Sequence, residues 1–233
     1  MSALHASNRV FHLLGPCWSR TFRCVWMFEE LGIPYTLVQE ALPVSKLARK
    51  YSPTGKVPIL LEFTSPADDT QPDLTLSESV AINTYLGDCY PESNLVPRPG
   101  TRDRALYDQY VCCILSELDS QGLWIHRKHQ AMGQYFGYIP DAVSHAQHQF
   151  QRFNQQMVSV LKNGGPFLLG NQFTAADVLY VHCLDWSKSI GWLSDLDNGA
   201  AETVELYRNV CHARKAFQQA SNIRKESKAS HKL

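Results

Sequence analysis

From Ser52 to Leu61 the chain reads Ser-Pro-Thr-Gly-Lys-Val-Pro-Ile-Leu-Leu, and this stretch restricts the fold more than any other. Pro53 and Gly55 punctuate a turn, whereas Val57-Pro58-Ile59-Leu60-Leu61 is an apolar, β-branched run that reads as a buried strand. A proline has no N–H for a ladder, so within a sheet it sits at the start of a strand, on an edge or at a bulge. The strand therefore opens on the proline, which leaves the backbone of Val57 beside it free for a ligand. Further on, Leu76-Ser77-Glu78-Ser79 begins a helical run. The first amides of a helix lack intrahelical partners and the dipole is positive there, so Glu78 and Ser79 stand where a carboxylate is favoured. Lys56 adds a cationic point nearby.

The elements around this stretch alternate. Val10 to Leu14 reads as a strand, followed by a helical pattern to Leu31, where Gly32 and Pro34 give a stop signal. A second strand over Tyr35 to Val38, a polar helical stretch around Lys46 to Lys50, the Val57 strand, a polar loop at Ser65 to Asp73, a short strand at Leu74 to Leu76 and a helix to about Tyr90 complete a βαβ–αββα order. That order predicts a small mixed α/β domain over residues 1–90. Pro91, Pro97, Pro99 and Gly100 mark a linker over 91–100. Beyond it the periodicity is helical. Tyr107, Tyr110, Val111, Ile114, Leu115 and Leu118 make one face, and Val143, Ala146, Phe150, Phe153, Met157 and Val160 another. An all-α domain is expected over 101–222. Within it Thr174 and Asp177 form a capping box flanked by a Phe173 and Val178 staple, a motif of helix initiation and not of chemistry. The polar, basic residues 223–233 are expected to be a flexible tail.

Five segments in order carry a resemblance to the soluble glutathione transferases. They are Ser19-Arg20-Thr21-Phe22-Arg23, Glu29 to Tyr35, Ser52 to Leu60, Glu78-Ser79 with Ala81 to Leu86, and Phe173 to Asp177. The resemblance covers nearly the whole chain. It implies a thioredoxin-like domain followed by an α-helical domain, a cis peptide before Pro58, and glutathione as co-substrate. It also implies a homodimer and a role in detoxification, with a small electrophile as second substrate. Glu78 and Ser79 would then hold the γ-glutamyl group, Val57 the cysteinyl backbone, and Lys56 another part of the tripeptide.

The chemistry concerns the first helix. The glutathione thiol has an unperturbed pKa near ~8.5, so only about 3% is thiolate at neutral pH, and the thiolate is the nucleophile. Ser19 lies just before the helix, where its hydroxyl can donate to sulfur with the dipole in support. Theta-like and many bacterial and fungal transferases, which the chain resembles here, place a catalytic serine four residues before an arginine, as Ser19 stands before Arg23. Thr21 and Cys17 remain alternatives to Ser19, and an N-cap is its plain structural role. An acidified Cys17 would make a glutathione-dependent thiol reductase, as in omega-like members, although the proline that follows their cysteine is absent here. A third reading keeps the fold and the tripeptide site without catalysis.

Composition narrows the classes further. Lys plus Arg and Asp plus Glu each total 22, a formal net charge of zero, so no basic patch points to nucleic acid or an anionic membrane. No apolar run approaches the length of a membrane span or a signal-peptide core. The seven cysteines contain no C-x-x-C pair, which fits reduced thiols in a cytoplasmic setting. His126 with His129 and His145 with His148 are spaced for a helix face but lack a third ligand, so no metal is expected. Trp124, Tyr135 and Tyr138 are candidates to line an acceptor pocket. The terminal His231-Lys232-Leu233 resembles a degenerate peroxisomal address, an alternative to the cytoplasm.

Overall fold

The structure is a computed structural model that describes residues 9–39, 46–64, 71–194 and 196–230. The chain divides into two compact units, Met1–Ser93 with Ala213–Leu233, and Asn94–His212.

In the first unit β1 (Val10–Leu14) is followed by α1 (Thr21–Leu31), β2 (Thr36–Val38), α2 (Lys46–Tyr51), β3 (Ile59–Phe63), β4 (Leu74–Ser77) and α3 (Ser79–Cys89). The strands form one sheet in the order β2-β1-β3-β4, parallel between β1 and β2 and antiparallel elsewhere. Successive side chains of β1 point to opposite faces. Leu14 joins Ala48, Ile59, Leu61 and Phe63 in one cluster, while Phe11 meets Phe28 of α1 on the other face, ring centroids 5.7 Å apart. The helix α1 is buried continuously from Thr21 to Phe28, so it is covered on more than its sheet-facing side. It stops where expected: Gly32 takes φ 63°, and its N–H donates to Phe28 O at 2.9 Å. The β3 ladder starts at Ile59, leaving Val57 and Pro58 just outside it across a cis peptide bond.

The remaining cover of α1 comes from α3 and from the chain's other end. Residues 215–230 form α10 (Lys215–Ser230), which packs on α1. The expectation of a flexible tail from 223 is thus corrected as far as Ser230, and 213–222 pack with the first unit and not with the helical one. The physical reason is a buried face on which one aromatic, Phe217, stands among the small residues Ala216, Ala220 and Ser227. His231-Lys232-Leu233 and residues 65–70 of the expected polar loop lie outside the described residues.

The second unit is all-helical. It contains α4 (Arg102–Cys113), a π-helical stretch (Ile114–Leu123), α5 (Trp124–His126), a second π-helical stretch (Arg127–Ala131), α6 (Gly133–Phe136), α7 (Pro140–Gly164), α8 (Ala175–Ser189) and α9 (Asn198–His212). Tyr107, Val111, Ile114 and Leu118 of the first expected face are buried, as are Ala146, Phe150 and Met157 of the second. The π-helical turns were not foreseen, because apolar spacing alone does not separate a π-turn from an α-turn. A Cβ at Gly122 would stand 3.2 Å from Glu117 O and 3.3 Å from Phe150 Cβ, so glycine allows the close approach to α7. Among the described residues, no helix is long and apolar enough to cross a membrane.

Candidate active site

Three chain segments leave the same end of the sheet. Leu14 of β1 pairs with Ile59 of β3, which in turn pairs with Ser77 of β4. Gly15, Val57 with Pro58, and Glu78 therefore follow one another along that edge. Gly15 takes φ 129°, and a Cβ there would fall 2.4 Å from Thr21 Oγ1 and 2.7 Å from Val57 Cβ. Glycine is required because the turn after β1 is pressed between α1 and the Val57 segment.

Ser19 sits on the turn Cys17–Arg20, half-buried, one residue before the position that caps α1. Its hydroxyl lies 2.8 Å from Pro16 O, to which it donates, and 2.9 Å from Thr21 Oγ1, and it accepts the Thr21 N–H at 3.2 Å. The capping position is held by Arg20, in helical conformation and without a side-chain cap, so the plain N-cap role for Ser19 is reduced to its bond from Thr21 N–H. Thr21 is fully buried, and only Ser19 of the two hydroxyls has solvent access.

Val57 is half-buried, and among the described residues its N–H and C=O make no hydrogen bond. Lys56 is exposed, with its amide donating to Thr54 Oγ1 at 3.3 Å. Glu78 is exposed and takes φ 72°, ψ 117°, a left-handed backbone unusual for a residue with a side chain, directly before α3. Such a conformation costs about 1–3 kcal/mol and concentrates at ligand sites. Ser79 is buried, and its Oγ accepts from Arg23 Nη1 at 3.3 Å. Arg23 is itself 1% exposed, and its carbonyl accepts from Asn83 Nδ2 at 3.2 Å, so α1 and α3 are joined beneath the site. The Ser79 hydroxyl is thereby committed to the core, which leaves its amide as the group at the helix start. The sequence gives no local sign of this inward-facing arginine, since arginine is ordinarily read as a surface charge.

Cys17 is fully buried. Its N–H donates to Ser227 Oγ at 3.2 Å, and its Sγ lies 3.9 Å from Ala220 O. Burial pushes the thiol up to about 12, only partly offset by Arg224, so Cys17 is a neutral thiol at any physiological pH. Iodoacetamide is expected to leave Cys17 unmodified in the native protein while labelling exposed Cys112, as read by peptide mass mapping. Rapid labelling of Cys17, or a glutathione adduct on it, would restore the reductase reading.

In the helical unit Tyr135 and Tyr138 are exposed and Trp124 is half-buried, with Lys128 Nζ 5.7 Å from its ring. His126 packs edge-on to Trp192, and burial lowers its pKa; the His129 ring meets Gly137 O at 3.0 Å. His145 and His148 are exposed. Among the described residues no three His, Cys, Asp or Glu side chains gather as a metal site.

A four-stranded mixed sheet with a cis-proline before its central antiparallel strand, and a helix opening beside it, defines a thioredoxin-like domain, joined in one chain to an all-α domain. The known families agree: residues 18–89 match the family described as Glutathione S-transferase, N-terminal domain, and residues 132–225 the Glutathione S-transferase, C-terminal domain. The chain belongs to the glutathione S-transferase superfamily. It is similar to the Glutathione S-transferase-like protein OpS6 of Beauveria bassiana, 24% identical over 196 residues that cover 78% of this chain and 79% of that one. Among solved structures it resembles glutathione transferase URE2P8 of Phanerochaete chrysosporium with oxidized glutathione (TM-score 0.75, 21% identity, covering 97% and 99%). It also resembles Ure2p5 of the same fungus cocrystallized with 1-(S-glutathionyl)-2,4-dinitrobenzene (TM-score 0.76, 17% identity, covering 94% and 96%).

Proposed function

We propose that this protein binds glutathione, holds its thiol as the thiolate through Ser19, and directs that sulfur at a small electrophile. The observation that carries the reading is the Ser19 hydroxyl, half-buried on its turn and backed by both the N–H and the hydroxyl of Thr21. A hydroxyl oxygen that accepts two hydrogen bonds is a stronger donor through its own proton. When a thiolate arrives, the Ser19 proton turns from Pro16 O to sulfur. Pro16 O keeps the Ser19 N–H at 3.0 Å, so no buried carbonyl is stranded.

Glu78 and the amide of Ser79 would receive the γ-glutamyl group, and the unpaired backbone of Val57 the cysteinyl residue in strand-like pairing. Lys56 would meet another part of the tripeptide. In the reaction the bound thiol loses its proton to solvent and the thiolate forms a carbon–sulfur bond. A leaving group departs with its electron pair, or in an addition the electron pair of the acceptor's double bond moves away from the attacked carbon and the atom that receives it takes a proton from solvent. The glutathione and glutathionyl-conjugate ligands of the Phanerochaete proteins support both substrates. The same reading takes the protein as a cytoplasmic, detoxifying homodimer.

The test is a pH titration of the ultraviolet thiolate absorbance of bound glutathione, with turnover of 1-chloro-2,4-dinitrobenzene alongside. A bound-thiol pKa well below ~8.5 supports the reading, and an unshifted value overturns it. The 2.8 Å bond to Pro16 O favours one rival: if the Ser19 proton stays on that carbonyl, the protein binds glutathione without activating it.

A second expectation concerns the strained backbone. Glu78→Gly removes both the side chain and the left-handed strain, so thermal stability is expected to hold or rise while glutathione affinity falls about tenfold or more, with the chemical step of bound glutathione little changed. Calorimetric titration beside a thermal melt checks both signs. Undiminished affinity would take Glu78 out of the site.

A further inference from the structure

The helix α10 lies antiparallel along α1, and the chain is tied at both ends of that contact. At one end Arg214 donates to both oxygens of Glu30 at 2.7 Å each, with Trp26 Nε1 adding a bond to Glu30 Oε1 at 2.9 Å. In the middle Phe217 stands edge-on to Trp26 and Phe22, centroids 4.8 and 5.9 Å away, and the Arg224 guanidinium lies 4.1 Å over the Phe22 ring. At the other end Ser227, fully buried, accepts the Cys17 N–H at 3.2 Å.

That last bond is close to the chemistry. The Cys17 N–H and the Pro16 C=O belong to one peptide group, which is planar and stiff, so fixing one fixes the other. Pro16 O is the atom on which Ser19 rests both its hydroxyl, at 2.8 Å, and its amide, at 3.0 Å. The plane is thus held at its nitrogen side by Ser227 and at its oxygen side by Ser19. We propose that Ser227 is a positioning residue of the thiol-activating site, holding the Pro16–Cys17 peptide plane from which the Ser19 hydroxyl is aimed. This rests on Ser19 activating the glutathione thiol. Ser227 never touches substrate; it acts through one peptide group.

Without the Ser227 hydroxyl the buried Cys17 N–H lacks an acceptor, and the plane can tilt. Ser227→Ala is then expected to raise the pKa of bound glutathione by roughly half to one unit, cutting the thiolate fraction at neutral pH by about 1.5-fold to eightfold. Glutathione affinity should stay within about twofold, because Glu78, Ser79 and Val57 are untouched. Ser227→Thr, which keeps the hydroxyl, should restore the wild-type titration. Ser227→Cys, nearly isosteric with a weaker acceptor, provides a second variant if the alanine protein does not fold, and should shift the pKa in the same direction. Arg214→Ala loosens the far end of α10 and serves as the control for a purely structural effect: it should lower the melting temperature without moving the thiol pKa.

The measurement is the thiolate titration on all four variants and Ser19→Ala, well below their melting temperatures. If Ser19→Ala raises the bound-thiol pKa while neither Ser227→Ala nor Ser227→Cys does, the positioning role is overturned and the transferase reading stands. If Ser19→Ala itself leaves the pKa unchanged, the transferase reading falls, and this inference with it.

Discussion

Ser19→Ala is expected to cut turnover of bound glutathione at pH 7 by roughly eightfold to twenty-five-fold, and by almost nothing above about pH 9. A hydrogen bond to a charged group contributes roughly 1.5–3 kcal/mol, and each pKa unit is worth about 1.4 kcal/mol, so one hydroxyl lowers the thiol pKa by about one to two units. From ~8.5, that places the bound thiol between ~6.5 and ~7.5, where a quarter to three quarters is ionised at pH 7 against about 3% without the bond. Raising the pH ionises the thiol in both proteins and removes the difference. A defect in substrate positioning would instead persist at alkaline pH, so the pH–rate profile separates the two causes. Thr21→Val, which keeps the volume of the side chain behind Ser19 but removes its hydroxyl, should show a smaller loss of the same shape. A Ser19→Ala profile parallel to wild type at all pH values would exclude thiol activation by this residue.

How much of this was legible in the sequence depends on the range of the interactions. The strand at Val10–Leu14, the end of α1 at Gly32 and the helix beginning after Glu78 are written in neighbouring residues, and they appear where local patterning put them. Val57, Glu78 and Ser79 were also singled out locally, from a proline and a helix start. What brings them to one edge of the sheet is register, and register follows from pairing between strands far apart in sequence. The tail was misread for a related reason. Between Ser221 and Ser230 the composition is polar and basic, and the buried face of α10 depends on Ala220 and Ser227, small residues that a search for hydrophobic periodicity passes over. Small side chains allow two helices to approach closely enough for a backbone N–H to meet a serine hydroxyl from 210 positions away. Arg23 shows the opposite case, a charged residue that burial and Ser79 make part of the core.

Asp177→Ala should produce the largest loss of stability in the helical unit, about 3–5 kcal/mol, seen as a melting temperature lower by roughly 10–15 °C. The carboxylate is fully buried and accepts four hydrogen bonds: Thr174 N–H at 2.8 Å and its hydroxyl at 3.1 Å on Oδ2, Leu168 N–H at 3.0 Å and Tyr207 hydroxyl at 2.9 Å on Oδ1. It closes the capping box of α8 and fastens both the preceding loop and α9 to that helix. Alanine would leave these donors buried with no acceptor, at about 1–3 kcal/mol each before relaxation. Asn keeps one oxygen and so should fall between alanine and wild type. The deficit should also depend on pH. Burial raises the Asp177 carboxyl to about 6 against the pull of its four donors, above the ~3.9 of an unfolded chain. The folded protein therefore binds a proton that the unfolded chain does not, a stabilisation complete below ~3.9 and lost as the pH rises through about 6. Between pH 7 and pH 5 the gap between wild type and Asp177→Ala is expected to widen by about 1 kcal/mol. Denaturant melts at the two pH values measure it. A gap that narrows toward pH 5 would mean that the four donors outweigh burial and hold the carboxyl below the unfolded value.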